Sequence, residues 1–253
     1  PCINEVILAS LLMSFAEGSN RVDDVREVLS RRANLSWHAR VACYFDVLGA
    51  VAGMYKFKTQ HVSGFHVAIP SEVWKEYTGD WYRMDTLYRD LCRAASACRA
   101  AGYDSLETPV RAALDWAEGL YDGWFLAESN ACWANAAQSQ WLDSGYVEGV
   151  DRQRDFYWKI MPGCRGAAKN IVVIVSDALR FEVGREIAEL LQREKGGMVK
   201  LSSMQAIYPS ITEFGMAALL PHKGMSLGEQ ASAVLVDGMP TATTEQRQAV
   251  LRP

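Results

Sequence analysis

Apolar residues recur at helical spacing through the first two-thirds of the chain. Ile3, Val6, Ile7, Leu11, Met13 and Phe15 line one side of residues 3–17, and Gly18-Ser19-Asn20 supplies a break and a cap. A short amphipathic helix is predicted over 22–31, with Asp23 and Asp24 in its first turn and Arg31 and Arg32 at its end. That order sets acids at the positive end of the helix dipole and bases at the negative end. Ser36 is the expected cap of a third helix over 37–57, with Val41, Tyr44, Phe45, Leu48 and Val51 facing inward. Residues 59–69 read as a loop with a short strand at 65–69. His61 and His66 lie in it without helical His-pair spacing or other ligands, so they read as ordinary loop histidines.

Pro70-Ser71 opens a long helix over 72–101, closed by Gly102. Trp74, Tyr77, Trp81, Met84, Leu87, Tyr88 and Leu91 form its apolar stripe, which reads as core. Arg83, Arg89 and Arg93 interleave with Glu76, Asp80, Asp85 and Asp90, the pattern of a solvated mixed face. Pro109 is the predicted start of another helix reaching about residue 141, whose tryptophans 116, 124, 133 and 141 read as helix packing. After a connector at 145–151, Phe156, Tyr157, Trp158 and Ile160 are expected to dock on an apolar surface. Residues 161–168 are small and punctuated, a boundary signal. The division expected is a helical region over 1–165 and an α/β domain over 166–253.

The pattern changes at Ile171. Ile171, Val172, Val173, Ile174 and Val175 are β-branched without a break, as in a strand buried on both faces of a parallel sheet. A helix follows, with Leu179, Val183, Ile187, Leu190 and Leu191 on one face. Asp177 therefore sits at a strand's carboxyl end, where open α/β sheets bind ligands. It has two readings: helix cap, as for Ser176, or ligand to a divalent ion. Residues 198–207 read as a second strand closed by Pro209. A helix then begins near Thr212 or Glu213 and stops at Pro221. Thr212 and Ser210 also have two readings. Either they cap that helix, or a hydroxyl lies where free N–H groups favour an anion and serves as a nucleophile.

Ser176-Asp177-Ala178-Leu179-Arg180-Phe181-Glu182 and Pro209-Ser210-Ile211-Thr212-Glu213-Phe214-Gly215-Met216-Ala217-Ala218-Leu219-Leu220-Pro221-His222 resemble the PglZ family. Those proteins belong to the bacterial anti-phage systems of phage growth limitation and BREX. Their domain is similar to the alkaline phosphatase superfamily of metal-dependent hydrolases. Val236-Asp237-Gly238 and the polar stretch to Leu251 resemble it too. The resemblance is close over 170–251 and looser upstream. It implies the first, truncated part of an alkaline-phosphatase-like parallel-sheet domain over 166–253. It implies that Asp177 holds one of two divalent ions, zinc by family habit. Thr212, in contact with metal, is then the catalytic nucleophile, with Ser210 as fallback. The superfamily's remaining Asp and His ligands have no counterpart after Thr212, so the chain is expected to hold at most half a metal site. His222 receives no role.

The function implied is a fragment of a metal-dependent phosphatase or phosphodiesterase of a BREX-type system. Its substrate would be a phosphomonoester, a nucleotide or a nucleic-acid phosphodiester. The alternative is a non-catalytic scaffold for partner proteins such as a methyltransferase or an ATPase. A receiver-like domain with Asp177 as phosphoacceptor leaves residues 209–222 unexplained.

Composition adds bounds. The 253 residues are 49% hydrophobic and 22% charged, the balance of a soluble globular protein of one or two domains. A net charge of −4 gives no electrostatic footprint for nucleic acid. No apolar run suits a transmembrane helix, and no leader peptide is visible. Both ends, from Pro1 to a helix beginning near Thr244, are expected to be cut from a longer chain. Six cysteines, at 2, 43, 92, 98, 132 and 164, form no C-x-x-C pair and read as reduced thiols, which suits a cytoplasmic setting. No internal repeat or glycine-rich phosphate loop occurs.

Overall fold

The computed structural model describes residues 2–35, 38–165, 170–196, 198–229 and 233–252. It divides into two compact units, Pro1–Ala136 and Ala137–Pro253.

The first unit is helical. Its elements are α1 (Cys2–Ala16), α2 (Val22–Arg32), α3 (Ala42–Gln60), α4 (Pro70–Glu76), α5 (Tyr82–Ala101), α6 (Asp104–Leu120) and the start of α7 (Ala127–Ser144). α3 packs along α5, and α1 along α6. Leu8, Leu12, Phe15, Phe45, Leu48, Met54, Phe57, Met84, Leu91, Leu106 and Phe125 are fully buried between them. Phe15, Leu48, Met84 and Leu91 of the predicted stripes therefore do face the core, whereas Ile3 and Val6, expected on the apolar side of α1, are 73% and 68% exposed. The expected cap Ser36 and the start of the third helix at Trp37 lie outside the described residues.

Four local expectations are corrected here. The long helix over 72–101 is interrupted by a π-helical segment, Tyr77–Trp81, and a second one, Tyr121–Leu126, joins α6 to α7. Each takes an extra residue into a turn, which periodicity counting cannot see. The helix expected from Pro109 begins at Asp104 and carries Pro109 inside. Asp85, assigned to a solvated face, is 3% exposed. Its carboxylate accepts hydrogen bonds from the Tyr77 hydroxyl at 2.8 Å and the Tyr121 hydroxyl at 2.5 Å, one from each π segment. A buried carboxylate needs such donors. Residues 65–69 form no strand, although Phe65 is buried.

The second unit contains the end of α7, α8 (Phe156–Arg165), α9 (Phe181–Lys195), α10 (Thr212–Ala218), β1 (Met225–Leu227), β2 (Val234–Val236), β3 (Met239–Pro240) and α11 (Thr244–Leu251). The strands make a three-stranded sheet in the order β1-β2-β3, antiparallel throughout, with Ser226 opposite Leu235 and Val236 opposite Met239. Asp237 and Gly238 turn β2 into β3 at φ of 48° and 83°, the twin positive values of the tight hairpin that Asp-Gly favours. A small core of Ala217, Leu220, Val234, Val236 and Val250 ties α10 and α11 to the sheet.

The strands predicted upstream are not formed. Residues 170–176 are irregular, with Val172 and Ile174 81% and 86% exposed. Residues 198–207 make only one isolated parallel bridge. There Gln205 pairs with Arg152, with Gln153 N donating to Gln205 O at 2.8 Å. A strand needs a neighbour whose backbone completes its ladder, and β-branched composition alone does not supply one. The sheet seen among the described residues is thus antiparallel. Phe156 to Ile160 open α8, but Trp158 is 57% exposed, and its indole N–H donates to the His222 carbonyl at 3.0 Å. No helix among the described residues is long and apolar enough to cross a membrane.

Candidate functional site

Asp177 and Thr212 come together. The irregular stretch 170–176 ends in a turn at Asp177 and Ala178, where Ala178 adopts φ of 54°. Left-handed backbone is uncommon for alanine and here reverses the chain just before α9. The Asp177 Oδ1 accepts the Ala178 N–H at 3.0 Å. α9 begins at Phe181 with Arg180 in extended conformation at its N-cap position, so neither Ser176 nor Asp177 caps that helix.

Thr212 is the first residue of α10, and Ile211 occupies the cap position with no side-chain capping bond. The Thr212 hydroxyl is therefore not spent on the helix. It donates to Asp177 Oδ2 at 2.8 Å across 35 residues of sequence. Ser210 takes no part in that contact. With only seven residues, α10 has a modest dipole, and the hydroxyl–carboxylate contact is the main local feature.

The contact opens into a cavity of about 340 Å³, near the lower end of the range for ligand pockets. Asp177, Thr212, Glu213, Thr241 and Arg247 supply polar groups, and Val175, Met216 and Val234 an apolar wall. α11 brings in Arg247. Thr243 and Gln246 form a reciprocal capping box at its start, the Thr243 hydroxyl accepting Gln246 N and the Gln246 side chain accepting Thr243 N. Arg247 was not singled out in the sequence. The signal available was its position one residue beyond that box, in the polar stretch before Leu251.

Among the described residues no group of three or more His, Cys, Asp or Glu side chains converges. Asp177 and Thr212 present two oxygen donors at one point, and Glu213 adds a carboxylate to the same wall. Oxygen donors suit a divalent ion, but a zinc site takes four ligands. The donors present fit one edge of such a site and not a complete shell.

The nearby histidine and aspartate are committed elsewhere. His222 is 7% exposed, and its Nδ1 lies 2.7 Å from the Leu220 carbonyl. Asp237 accepts the backbone N–H groups of Lys223 and Gly224, which hold its carboxyl below the ordinary aspartate range. Glu182, inside the first quoted motif, is fully buried with Arg180 Nε 2.9 Å from its Oε1, at contact distance without hydrogen-bond alignment.

In the first unit His61 is more engaged than a loop histidine. Its Nδ1 lies 2.9 Å from the Phe57 carbonyl and its Nε2 3.0 Å from Asp80. Cys43, Cys92, Cys98 and Cys132 are free thiols. Burial, and then the adjacent Cys43 thiol, push the Cys98 thiol well above its usual range, which keeps it protonated and inert.

Residues 156–253 match the BREX system PglZ alkaline phosphatase-like domain. This stretch, similar to that domain, is the PglZ segment of the chain. The PglZ segment thus starts with α8 and includes the Asp177–Thr212 contact, the hairpin and α11. Two curated relatives extend the likeness beyond it. The alkaline phosphatase-like protein BrxZ of Escherichia coli O9:H4 (strain HS) is 29% identical over 259 aligned residues, covering 99% of this chain and 30% of BrxZ. The alkaline phosphatase-like protein PglZ of Bacillus cereus (strain H3081.97) is 26% identical over 227 residues, covering 89% of this chain and 26% of that protein. The chain therefore spans less than a third of either relative, and the likeness to both extends upstream of the PglZ segment. No solved structure matches the chain.

Proposed function

We propose that the PglZ segment carries the nucleophile and one metal ligand of a phosphoric-ester hydrolase acting in a BREX-type anti-phage system. The observation that supports this most is the Thr212 hydroxyl held 2.8 Å from the Asp177 carboxylate at the mouth of a cavity. In this reading Thr212 Oγ attacks phosphorus. The new Oγ–P bond forms as the ester oxygen leaves, and water then cleaves the phosphothreonine. Asp177 orients the hydroxyl and would hold a divalent ion, zinc in our assignment. When bound, that ion lowers the hydroxyl's pKa and offsets charge on the phosphoryl oxygens. A second ion and the remaining ligands are assigned to residues other than those described here. We further propose that residues 171–175 belong to an alkaline-phosphatase-like parallel sheet in the complete domain, which would cover the exposed Val172 and Ile174.

A second reading is a scaffold that docks partners of the defence complex, such as a methyltransferase or an ATPase. The exposure of Val172, Ile174, Leu190 and Leu191 favours it.

The deciding experiment measures hydrolysis of a chromogenic phosphodiester and a phosphomonoester by the intact protein with zinc, manganese or magnesium. Wild type is compared with Asp177→Asn and Thr212→Val. The hydrolase reading expects metal-dependent turnover that falls by roughly a thousandfold or more in both variants. Turnover that survives both changes refutes the assignment of these residues. No turnover with any of the three ions leaves the scaffold as the better account.

A further inference from the structure

Among the described residues one cation, Arg247, lines the cavity beside Thr212, and neutral groups hold it. The Arg247 guanidinium donates through Nη1 to the Thr241 and Ala242 carbonyls at 3.0 and 3.1 Å, and through Nη2 to the Thr244 hydroxyl at 3.5 Å. All three acceptors are neutral. They fix the side chain in place without neutralising it. Among the described residues no carboxylate lies within ion-pair distance of it, although Glu245 feels its charge. Other arginines of the chain, such as Arg21, Arg83 and Arg152, are neutralised by acids at contact distance. Arg247 is also half-buried in the cavity wall, and the wall it shares holds Asp177, Thr212 and Glu213.

We propose that Arg247 is the anion-binding residue of this cavity and that its ligand is the phosphoryl group of a phosphoester. A guanidinium fixed by two carbonyls keeps its remaining N–H groups pre-set in a planar fork. That fork matches two oxygens of a tetrahedral phosphoryl group, and little side-chain freedom is lost on binding. The cavity would otherwise repel a phosphate, because Asp177 and Glu213 are both acidic. Arg247 offsets that repulsion and sets the phosphorus on the side of the cavity where Thr212 Oγ stands. The catalytic consequence rests on the hydrolase reading, whereas the anion-binding claim does not require turnover.

A purely structural Arg247, clamping α11 to residues 241–242, makes a different prediction. It would affect stability and leave anion affinity alone. Binding of inorganic phosphate to the intact protein, followed by ³¹P line broadening and by calorimetry, separates the two. It is measured once with a chelator and once with zinc. We compare wild type, Arg247→Lys, Arg247→Gln and Arg252→Gln, with thermal melts as a folding check.

The expected result is phosphate binding by wild type that weakens at least about tenfold in Arg247→Gln, one charge-assisted hydrogen bond's worth. Arg247→Lys, which keeps the charge and loses the fork, falls between. Arg252→Gln, at an exposed arginine that does not line the cavity, binds phosphate like wild type. Absence of phosphate binding in both buffers, or equal binding by a folded Arg247→Gln, overturns the proposal. Arg247-dependent binding without hydrolysis would sink the hydrolase reading and keep this one. Hydrolysis that needs Asp177 and Thr212, with KM and phosphate affinity indifferent to Arg247→Gln, would do the reverse.

Discussion

The buried carboxylate of Asp85 gives the sharpest test of how the helical unit holds together. Asp85 accepts the Tyr121 hydroxyl at 2.5 Å and the Tyr77 hydroxyl at 2.8 Å. Tyr121 is 6% exposed, and its ring stacks on Tyr88 with centroids 4.0 Å apart. Tyr121→Phe keeps the ring and removes only the donor. A hydrogen bond to a charged group is worth about 1.5–3 kcal/mol, and the deletion takes one donor from a buried carboxylate. The expected loss is therefore about 2 kcal/mol, or roughly 5–10 °C in melting temperature for a unit of this size. Tyr77 is less buried, so Tyr77→Phe should lose less, about 1–2 kcal/mol. Asp85→Ala leaves both phenols without this acceptor and should exceed either tyrosine change. The assay is urea unfolding of wild type, each single variant, and the Tyr121→Phe, Asp85→Ala double variant. Coupling between the two sites should appear as a double-variant loss well short of the sum. A Tyr121→Phe change within about 0.5 kcal/mol of wild type, the range of an ordinary surface substitution, would refute the account.

Two further outcomes follow from the PglZ segment. Asp237 has its carboxyl held low by the Lys223 and Gly224 amides, so its contribution is present above the ordinary aspartate value of about 3.9 and is lost as pH falls through the lower folded value. Unfolding measured from pH 6 downward should show an acid-side loss that Asp237→Asn removes, since asparagine keeps the turn's backbone and lacks the charge. A pH profile unchanged by that substitution would refute the anchor. Thr243→Ala deletes the capping box of α11 and should cost about 1 kcal/mol. It should also weaken phosphate binding through Arg247 if the start of α11 sets the guanidinium's position, and equal affinity would show that the two carbonyl bonds suffice.

What the sequence made legible was local chemistry. The acid-to-base order along α2, the stop of α5 at Gly102, and the helix from Thr244 are each encoded within a few residues, and each is found in the structure. The π segments were not legible, because nothing in Tyr77-Thr78-Gly79-Asp80-Trp81 marks an added residue in the turn. In a straight α-helix, positions 77 and 85 would lie about 80° apart around the axis. Tyr77 and Asp85 are nonetheless in contact, and that misalignment explains why Asp85 was assigned to water. The run 171–175 failed for another reason. β-branched residues express a preference for extended backbone, which residues 170–176 do not turn into a ladder because pairing is a tertiary property. Arg247 was missed because a lone arginine in a polar stretch carries no signal until α11 places it.

The two halves of the candidate site rest on unequal foundations. Thr212 belongs to α10, whose Ala217 packs with Leu220, Val234, Val236 and Val250 in a closed apolar cluster. Arg247 belongs to α11, which shares that cluster through Val250 and is capped at its start. The hydroxyl and the guanidinium are thus set by one piece of core. Asp177 follows the exposed stretch Val172–Val175 and is held by its turn and by Thr212 itself. Contacts between exposed groups contribute little on their own. The position of Asp177 is therefore the more easily displaced of the two. Any group that covers residues 172–175 would bear first on that carboxylate, and only through it on the Thr212 hydroxyl. In this arrangement a change in what covers the exposed run moves the Asp177 carboxylate and leaves the Thr212–Arg247 geometry in place.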